Sequence, residues 1–417
     1  MTKHQLKKHA MAIIDAGLDA ARPERFVGKF VTKTKLVCAE KTYHTAHYDK
    51  IWLVAMGKAA DTMALAINKT MPNNGGIVVI PKNYHSSLNN KKFHMMRAGH
   101  PTPNKNSVLA AKKITTLLKN AGKSDLVVFL ISGGSSALVC APQGITLQQK
   151  IKTTNLLLES GATISEINAI RKHLSGIKGG KMLENLNCTA ISYVMSDVVN
   201  DDLGSIASGT TYCDKTTFSD CLGIVSKYNL GKKLPKSVLS RLHNGARGKI
   251  AETPKRPKIP NQIIASNSDC LGAMAKKAKS LGYFTSAYPN LSGNVALAAQ
   301  KILKKFKQSK KSCLVFGGET TVQVKGNGMG GRNQELVLRI IQNMPLYTII
   351  ASIGTDGIDG NTKFAGAIFD HPVDKYITKP YLDNSDSGSF FAKHGGLIKT
   401  GPTHTNLLDI GVILKHL

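Results

Sequence analysis

The sequence predicts an α/β protein made of two α/β domains, and three features predict it. Short apolar, β-branched runs alternate with stretches of helical period, the pattern of a parallel sheet buried by helices on both faces. At 417 residues the chain exceeds what one compact core holds. The Pro- and charge-rich stretch from Glu252 to Pro260 breaks the alternation and reads as a linker, giving domains at 1–245 and 260–417.

The first domain carries predicted strands at 51–55, 77–80, 126–131 and 190–195, with helices at about 3–20, 58–70, 104–121, 146–158, 164–175 and 216–228. The second carries a strand at 262–265, helices at 268–280 and 293–306, strands at 313–316 and 320–325, a helix from 332, and strands at 347–353, 365–369 and 409–414.

Composition narrows the function classes. A chain that is 42% hydrophobic and 20% charged is neither disordered nor fibrous. It has no apolar run of membrane-spanning length and no apolar stretch of signal-peptide type at its start, so the expectation is a soluble, cytoplasmic protein. The net charge of +30 raises a nucleic-acid reading, but only nine of the 56 basic residues are arginine. Base readout and bidentate phosphate recognition lean on arginine, so scattered lysines read as a solvated surface, or as a field that draws in small anions. Seven cysteines without a C-x-x-C pair fit reduced, mostly buried thiols.

Ligands of such folds bind beyond the carboxyl ends of strands. After the first strand, Ala55-Met-Gly-Lys58 places a lysine in the first turn of the predicted helix, where a cation opposes the helix dipole unless an anion docks beside it. This is not a Walker A loop. Ile131 runs into Ser132-Gly133-Gly134-Ser135-Ser136, small residues that let main-chain N–H groups approach a phosphate or carboxylate. The stretch also resembles a nucleophile elbow short of one glycine, with no fitting late histidine. Arg171 and Lys178 stand two turns apart on one predicted helical face, with Lys172 and Lys181 as neighbours, a set suited to a polyanion or simply to solvent.

Asp197, Asp201 and Asp202 fall just past a strand, either as Mg²⁺ ligands beside phosphates or as loop caps. In the second domain, Gly317-Gly-Glu319-Thr reads as a tight turn between two strands. Gly326, Gly328 and Gly331 then satisfy G-x-G-x-x-G ahead of a helix opening on Arg332. Because these glycines would follow a hairpin and not the first strand of a βαβ unit, phosphate binding is preferred over a dinucleotide cofactor. A second acidic glycine loop holds Gly354, Asp356 and Asp359, and the stretch from Lys399 to Asn406 offers polar groups for a small ligand. His404 there reads as a loop hydrogen-bonder.

Together these loops resemble the glycerate 2-kinases that carry a carboxy-terminal MOFRL domain. The matching stretches include Gly57-Lys58-Ala59, Gly99-His100-Pro101, Ser132 to Leu138, Arg171 to Gly180, Ser196-Asp197-Val198, Gly317 to Thr321, Gly330 to Glu335, Gly354 to Gly360 and Thr400 to Thr403. The resemblance implies a Rossmann-like first domain with a parallel sheet, a MOFRL-type second domain with a mixed sheet, and an active site in the cleft. It implies transfer of the γ-phosphoryl of ATP to the 2-hydroxyl of D-glycerate, with Mg²⁺, no nucleic acid or membrane partner, and a homodimer as one assembly it allows. An NAD-dependent hydroxypyruvate reductase is the alternative.

On that reading Lys58 and Arg332 bind the moving phosphoryl charge, and Asp197 ligates Mg²⁺ or orients the hydroxyl, with Asp356 (also a metal candidate) and Glu319 as competitors. Ser132, Gly133, Gly134, Ser135, Ser136, Arg171, Lys178, Asn333 and Glu335 hold substrate or phosphate. Gly317, Glu319, Gly330, Gly354, Asp356 and Thr403 hold the nucleotide. Against the family pattern, Ser135 replaces a usual glycine, Thr210 a proline, and Asn294 and Lys363 acids.

Overall fold

A computed structural model of the chain describes residues 2–86, 88–306 and 311–416. These form two compact units, Phe26–Ser196 with Asp201–Ile264, and Met1–Arg25 with Asp197–Asn200 and Ala265–Leu417. The division differs from the expected one at three places. Helix Lys3–Ala20 belongs to the second unit, because its apolar stripe of Leu6, Ala10, Ile13, Ile14 and Gly17 packs there, with Gly17 against Met274 and Ile410. Asp197 also groups with the second unit. The supposed linker is pinned within the first: Glu252 accepts from the Phe218 N–H at 2.8 Å, Thr253 donates to Asp214 at 3.0 Å, and the Pro260 carbonyl accepts from Ser192 at 3.0 Å.

The first unit opens with an antiparallel hairpin, β1 (Lys35–Cys38) and β2 (Lys41–His44), which the sequence reading left unassigned. Its main sheet comprises β3 (Ile51–Met56), β4 (Gly76–Pro81), β5 (Phe93–Ala98), β6 (Leu126–Ile131), β7 (Thr189–Met195) and β8 (Asn261–Ala265), in the order β5-β4-β3-β6-β7-β8. The pairings from β5 through β7 are parallel. Counted within the sheet, this is the doubly wound order 3-2-1-4-5-6, whose switch point lies between β3 and β6. Strands β4 and β6 are buried throughout, as their unbroken apolar runs require.

Several helices begin a residue or two later than expected because a polar residue stands just outside as the N-cap. Asn104, Thr146 and Thr217 each accept from the backbone three residues on, and in all three the side chain at that position caps back. Helices Leu147–Glu159, Ile164–His173, Phe218–Lys227 and Lys236–Ala246 enclose a smaller core around Leu157, Ile170, Phe218 and Leu242.

The second unit is built on β9 (Phe284–Asn294), β10 (Lys311–Thr321), β11 (Thr348–Gly354), β12 (Gly366–Phe369), β13 (Leu397–Ile398) and β14 (Asp409–His416), ordered β13-β12-β11-β14-β10-β9. Only β9 and β10 run parallel, so the sheet is mixed. The expected turn at Gly317-Gly-Glu319 is absent. Strand β10 continues through it with a register shift between Phe316 and Gly318, since both neighbours, β9 and β14, extend alongside. No described helix is long and apolar enough to cross a membrane. All seven cysteines are unpaired and six of them are buried.

Candidate active site

The switch point of the parallel sheet is where Lys58 and the glycine-serine turn emerge. Gly57 follows β3 at φ +127°, and a Cβ there would stand 2.6 Å from the Ser132 carbonyl oxygen, so only glycine lets the two strand ends close. Lys58 sits in this turn and not in the helix, which starts at Ala60, so its expected conflict with the helix dipole is weaker. It is half-buried.

The turn itself corrects part of the expected cradle. Ser132 is fully buried, its N–H donating to the Met56 carbonyl at 3.0 Å and its Oγ accepting from the Ala59 N–H at 3.0 Å. Ser135 is also fully buried and donates to the Met56 and Ser132 carbonyls at 2.7 and 2.5 Å. Both hydroxyls close the turn, and the inward Ser135 rules out a nucleophile elbow, which needs its serine exposed. Gly133, Gly134 and Ser136 remain for a ligand. A Cβ on Gly134 would lie 2.9 Å from the His100 ring, so His100 joins this corner, a residue the sequence showed only within a matched stretch.

Arg171 and Lys178 do not share a helical face, because the helix ends at His173. They meet the site separately. Arg171 donates to Ser136 Oγ at 2.6 Å, and Ser136 Oγ lies 2.8 Å from Ser208 Oγ. Lys178 is buried and donates to the Ala207 carbonyl and Thr210 Oγ1, both at 3.1 Å. Burial, with Arg171 and Lys150 nearby, pulls the Lys178 ammonium well below its ordinary pKa, and burial pulls Lys150 down to about 8. These cations thus fix the loop at 206–210, where Ala207 and Ser208 hold positive φ. Left-handed non-glycine residues are costly and cluster at functional sites. Lys172 is committed to buried Asp214 at 3.1 Å.

Of the three acids after β7, Asp202 is a loop cap, accepting from Gly204 N–H at 3.2 Å and Ser205 Oγ at 2.6 Å. Asp197 is half-buried. Among the described residues no three His, Cys, Asp or Glu groups converge to hold a metal. Mg²⁺ in phosphoryl transfer needs only one or two carboxylates beside phosphate oxygens.

In the second unit, helix Arg332–Ile341 opens on Arg332, but the anions it faces are the protein's own. Its Nε and Nη2 donate to the two oxygens of Asp409 at 2.6 and 3.0 Å, and Nη1 donates to Glu319 at 2.5 Å. Burial opposes it, yet these carboxylates hold the guanidinium above its ordinary pKa. The helix N-terminus is likewise filled, since Asp359 accepts from the Asn333 and Gln334 N–H groups at 3.0 and 2.9 Å. This overturns the expected phosphate seat on that helix start: the position holds a carboxylate already. The loop before it is spent inward too, with Met329 N–H donating to Asp386 at 2.8 Å and Gly330 N–H to Asn361 at 2.9 Å.

Asn333 accepts from Ser352 Oγ at 2.6 Å, and Glu335 pairs with Arg339 at 2.7 Å, so both expected substrate ligands are engaged inside the unit. Asp356 accepts from the Ile358 N–H at 3.2 Å, and its carbonyl from the Thr403 N–H at 3.3 Å, which joins the two expected nucleotide loops. Gly317 and Gly354 lie in β10 and β11, paired in register with Ile410 and Asp409 of β14. Asp409 was missed: it begins a strand with no loop motif beside it.

The carboxy-terminal signature is matched by the MOFRL family model over residues 312–409, and residues 9–243 match a family described as a domain of unknown function, DUF4147. The chain is 36% identical to a glycerate 2-kinase of Pyrococcus horikoshii, covering 99% of this chain and 98% of that one. This chain belongs to the MOFRL-domain glycerate 2-kinase family. Another relative, a D-glycerate 2-kinase of Thermotoga maritima, is 36% identical over 98% of this chain and 99% of its own. A crystal structure of a Thermotoga maritima glycerate kinase superposes with a TM-score of 0.84 at 33% identity, covering 99% of this chain and all of that one. The Ser135 hydroxyl, expected as a departure from the family pattern, serves the turn and not a ligand.

Proposed function

We propose that this chain transfers the γ-phosphoryl of ATP to the 2-hydroxyl of D-glycerate. The observation that carries the reading is Lys58 at the switch point of the doubly wound sheet, where such folds bind their ligands. Family membership supports the same substrate and reaction.

Phosphoryl transfer asks for positioning and for neutralising charge more than for covalent help. Lys58 in the first unit and, independently, Arg332 in the second are each assigned to neutralising phosphoryl charge. The main chain of Gly133, Gly134 and Ser136 holds the substrate carboxylate or a phosphate, with Arg171 steadying Ser136. Asp197 accepts the proton of the 2-hydroxyl as that oxygen bonds to phosphorus and the bond to ADP breaks. Mg²⁺, held by Asp197 or Asp356, would offset the negative charge of the phosphates. The protein acts in the cytoplasm.

Glycerate-dependent ADP release, with the phosphate position assigned by ³¹P and ¹H NMR, tests the reading. Hydride transfer to NAD without ADP release would support the reductase instead.

A further inference from the structure

Strand β14 runs antiparallel between β10 and β11, and its first residue, Asp409, pairs in register with Gly318 on one side and Gly354 on the other. The sheet thereby sets one carboxylate between β10 and β11, at a level one residue short of Glu319 on one side and two short of Asp356 on the other. Asp409 is 7% exposed and grips the Nε/Nη2 side of Arg332 with two bonds of 2.6 and 3.0 Å. Glu319 holds Nη1 alone, and its side chain is 44% exposed. A bidentate, buried contact fixes the plane of a guanidinium, whereas a single exposed one is screened by water and exchanges readily.

We propose that Asp409 is the positioning residue for Arg332, and that Glu319 is the exchangeable partner whose place an incoming phosphate oxygen takes. Of the five N–H donors, Asp409 and Glu319 use three. Release of Glu319 frees the end-on pair of Nη1 and Nη2, the edge that matches two phosphate oxygens, while Asp409 keeps the plane aimed. The proposal rests on the kinase reading above, in which Arg332 meets the phosphoryl group.

The test is a double-mutant cycle on the full chain, with fold checked by circular dichroism. Asp409→Asn is expected to lower kcat by about 10²-fold, the typical cost of an ångström-scale misplacement. Its KM for ATP should not rise, since a negative charge has been removed. The Arg332→Ala/Asp409→Asn double variant should be no worse than Arg332→Ala, because Asp409 acts through Arg332. Losses that multiply would overturn the positioning role, as would a folded Asp409→Asn enzyme with wild-type kcat. Glu319→Gln should lower the KM for ATP by about three-fold or more, and an unchanged or raised KM overturns the exchange. If Asp409→Asn does not fold, Arg332→Lys decides: an ammonium keeps the charge but cannot be gripped side-on, so kcat should fall as far as in Arg332→Ala, and near-wild-type turnover refutes the role. If Arg332→Ala itself stays active, the kinase role of Arg332 fails, independently of Asp409.

Discussion

The main-chain N–H of Lys58 donates to the carbonyl oxygen of Gly133 across 2.8 Å. This bond ties the loops after β3 and β6, the two strands flanking the switch point, so the lysine side chain leaves a backbone fixed on both sides. Lys58→Ala keeps the backbone bond and removes only the charge. It should lower kcat by at least about 10²-fold, the usual loss for one preorganised group at a developing oxyanion, with an unchanged melting temperature. A folded variant of near-normal turnover would take Lys58 out of the mechanism.

Asp197 and Asp202 are close in sequence but differ in employment. Asp202 serves Gly204 and Ser205. Asp202→Asn keeps one acceptor and should cost less than about ten-fold in activity, whereas Asp197→Asn should abolish turnover. Mg²⁺ titration of the folded Asp197→Asn enzyme checks this: an unchanged half-saturation and kcat would assign the role to another acid.

Burial pushes the Asp359 carboxyl up to about 7, against the pull of the Asn333 and Gln334 N–H groups. An unfolded aspartate titrates near 3.9, so between about pH 4 and 7 the native state binds the extra proton. The stability this raised pKa confers is complete below about pH 4 and is lost as pH rises through 7. The advantage of wild type over Asp359→Asn in melting temperature should therefore shrink from pH 4 to 8. A gap that stays constant would mean that Asp359 does not titrate in this range.

The +30 charge gives a last expectation. If the lysines are a solvated surface, salt should weaken glycerate and ATP binding only modestly, because the Debye length at 0.15 M is about 8 Å and half-buried contacts are screened less. Duplex DNA binding would fall with a log–log slope of about −0.9 per phosphate contacted. Sub-micromolar duplex affinity at 0.15 M salt with a slope near −5, about six phosphates' worth, would refute a purely small-molecule role.

What the sequence determined by itself was the local order: the strands β3, β4, β6 and β7, their helices, the loops that follow them and the family those loops belong to. Hydrophobic period and small-residue turns are local signals, written within ten or twenty residues, and Lys58, Ser132–Ser136 and Arg332 could be found from them. The tertiary structure decided which groups already have partners. Ser132 and Ser135 looked like ligand hydroxyls until the close approach of β3 and β6 turned them inward, and Arg332 looked like a bare cation until β14 brought Asp409 beside it. The helix after Gly331 looked like a phosphate seat until Asp359 filled its N–H groups. The same logic moved helix Lys3–Ala20 to the second unit, since its stripe had no partner nearby in sequence. A hydrogen bond or buried face is satisfied by whatever the fold delivers, and sheet register, which delivers it, joins residues too far apart for any local pattern to record.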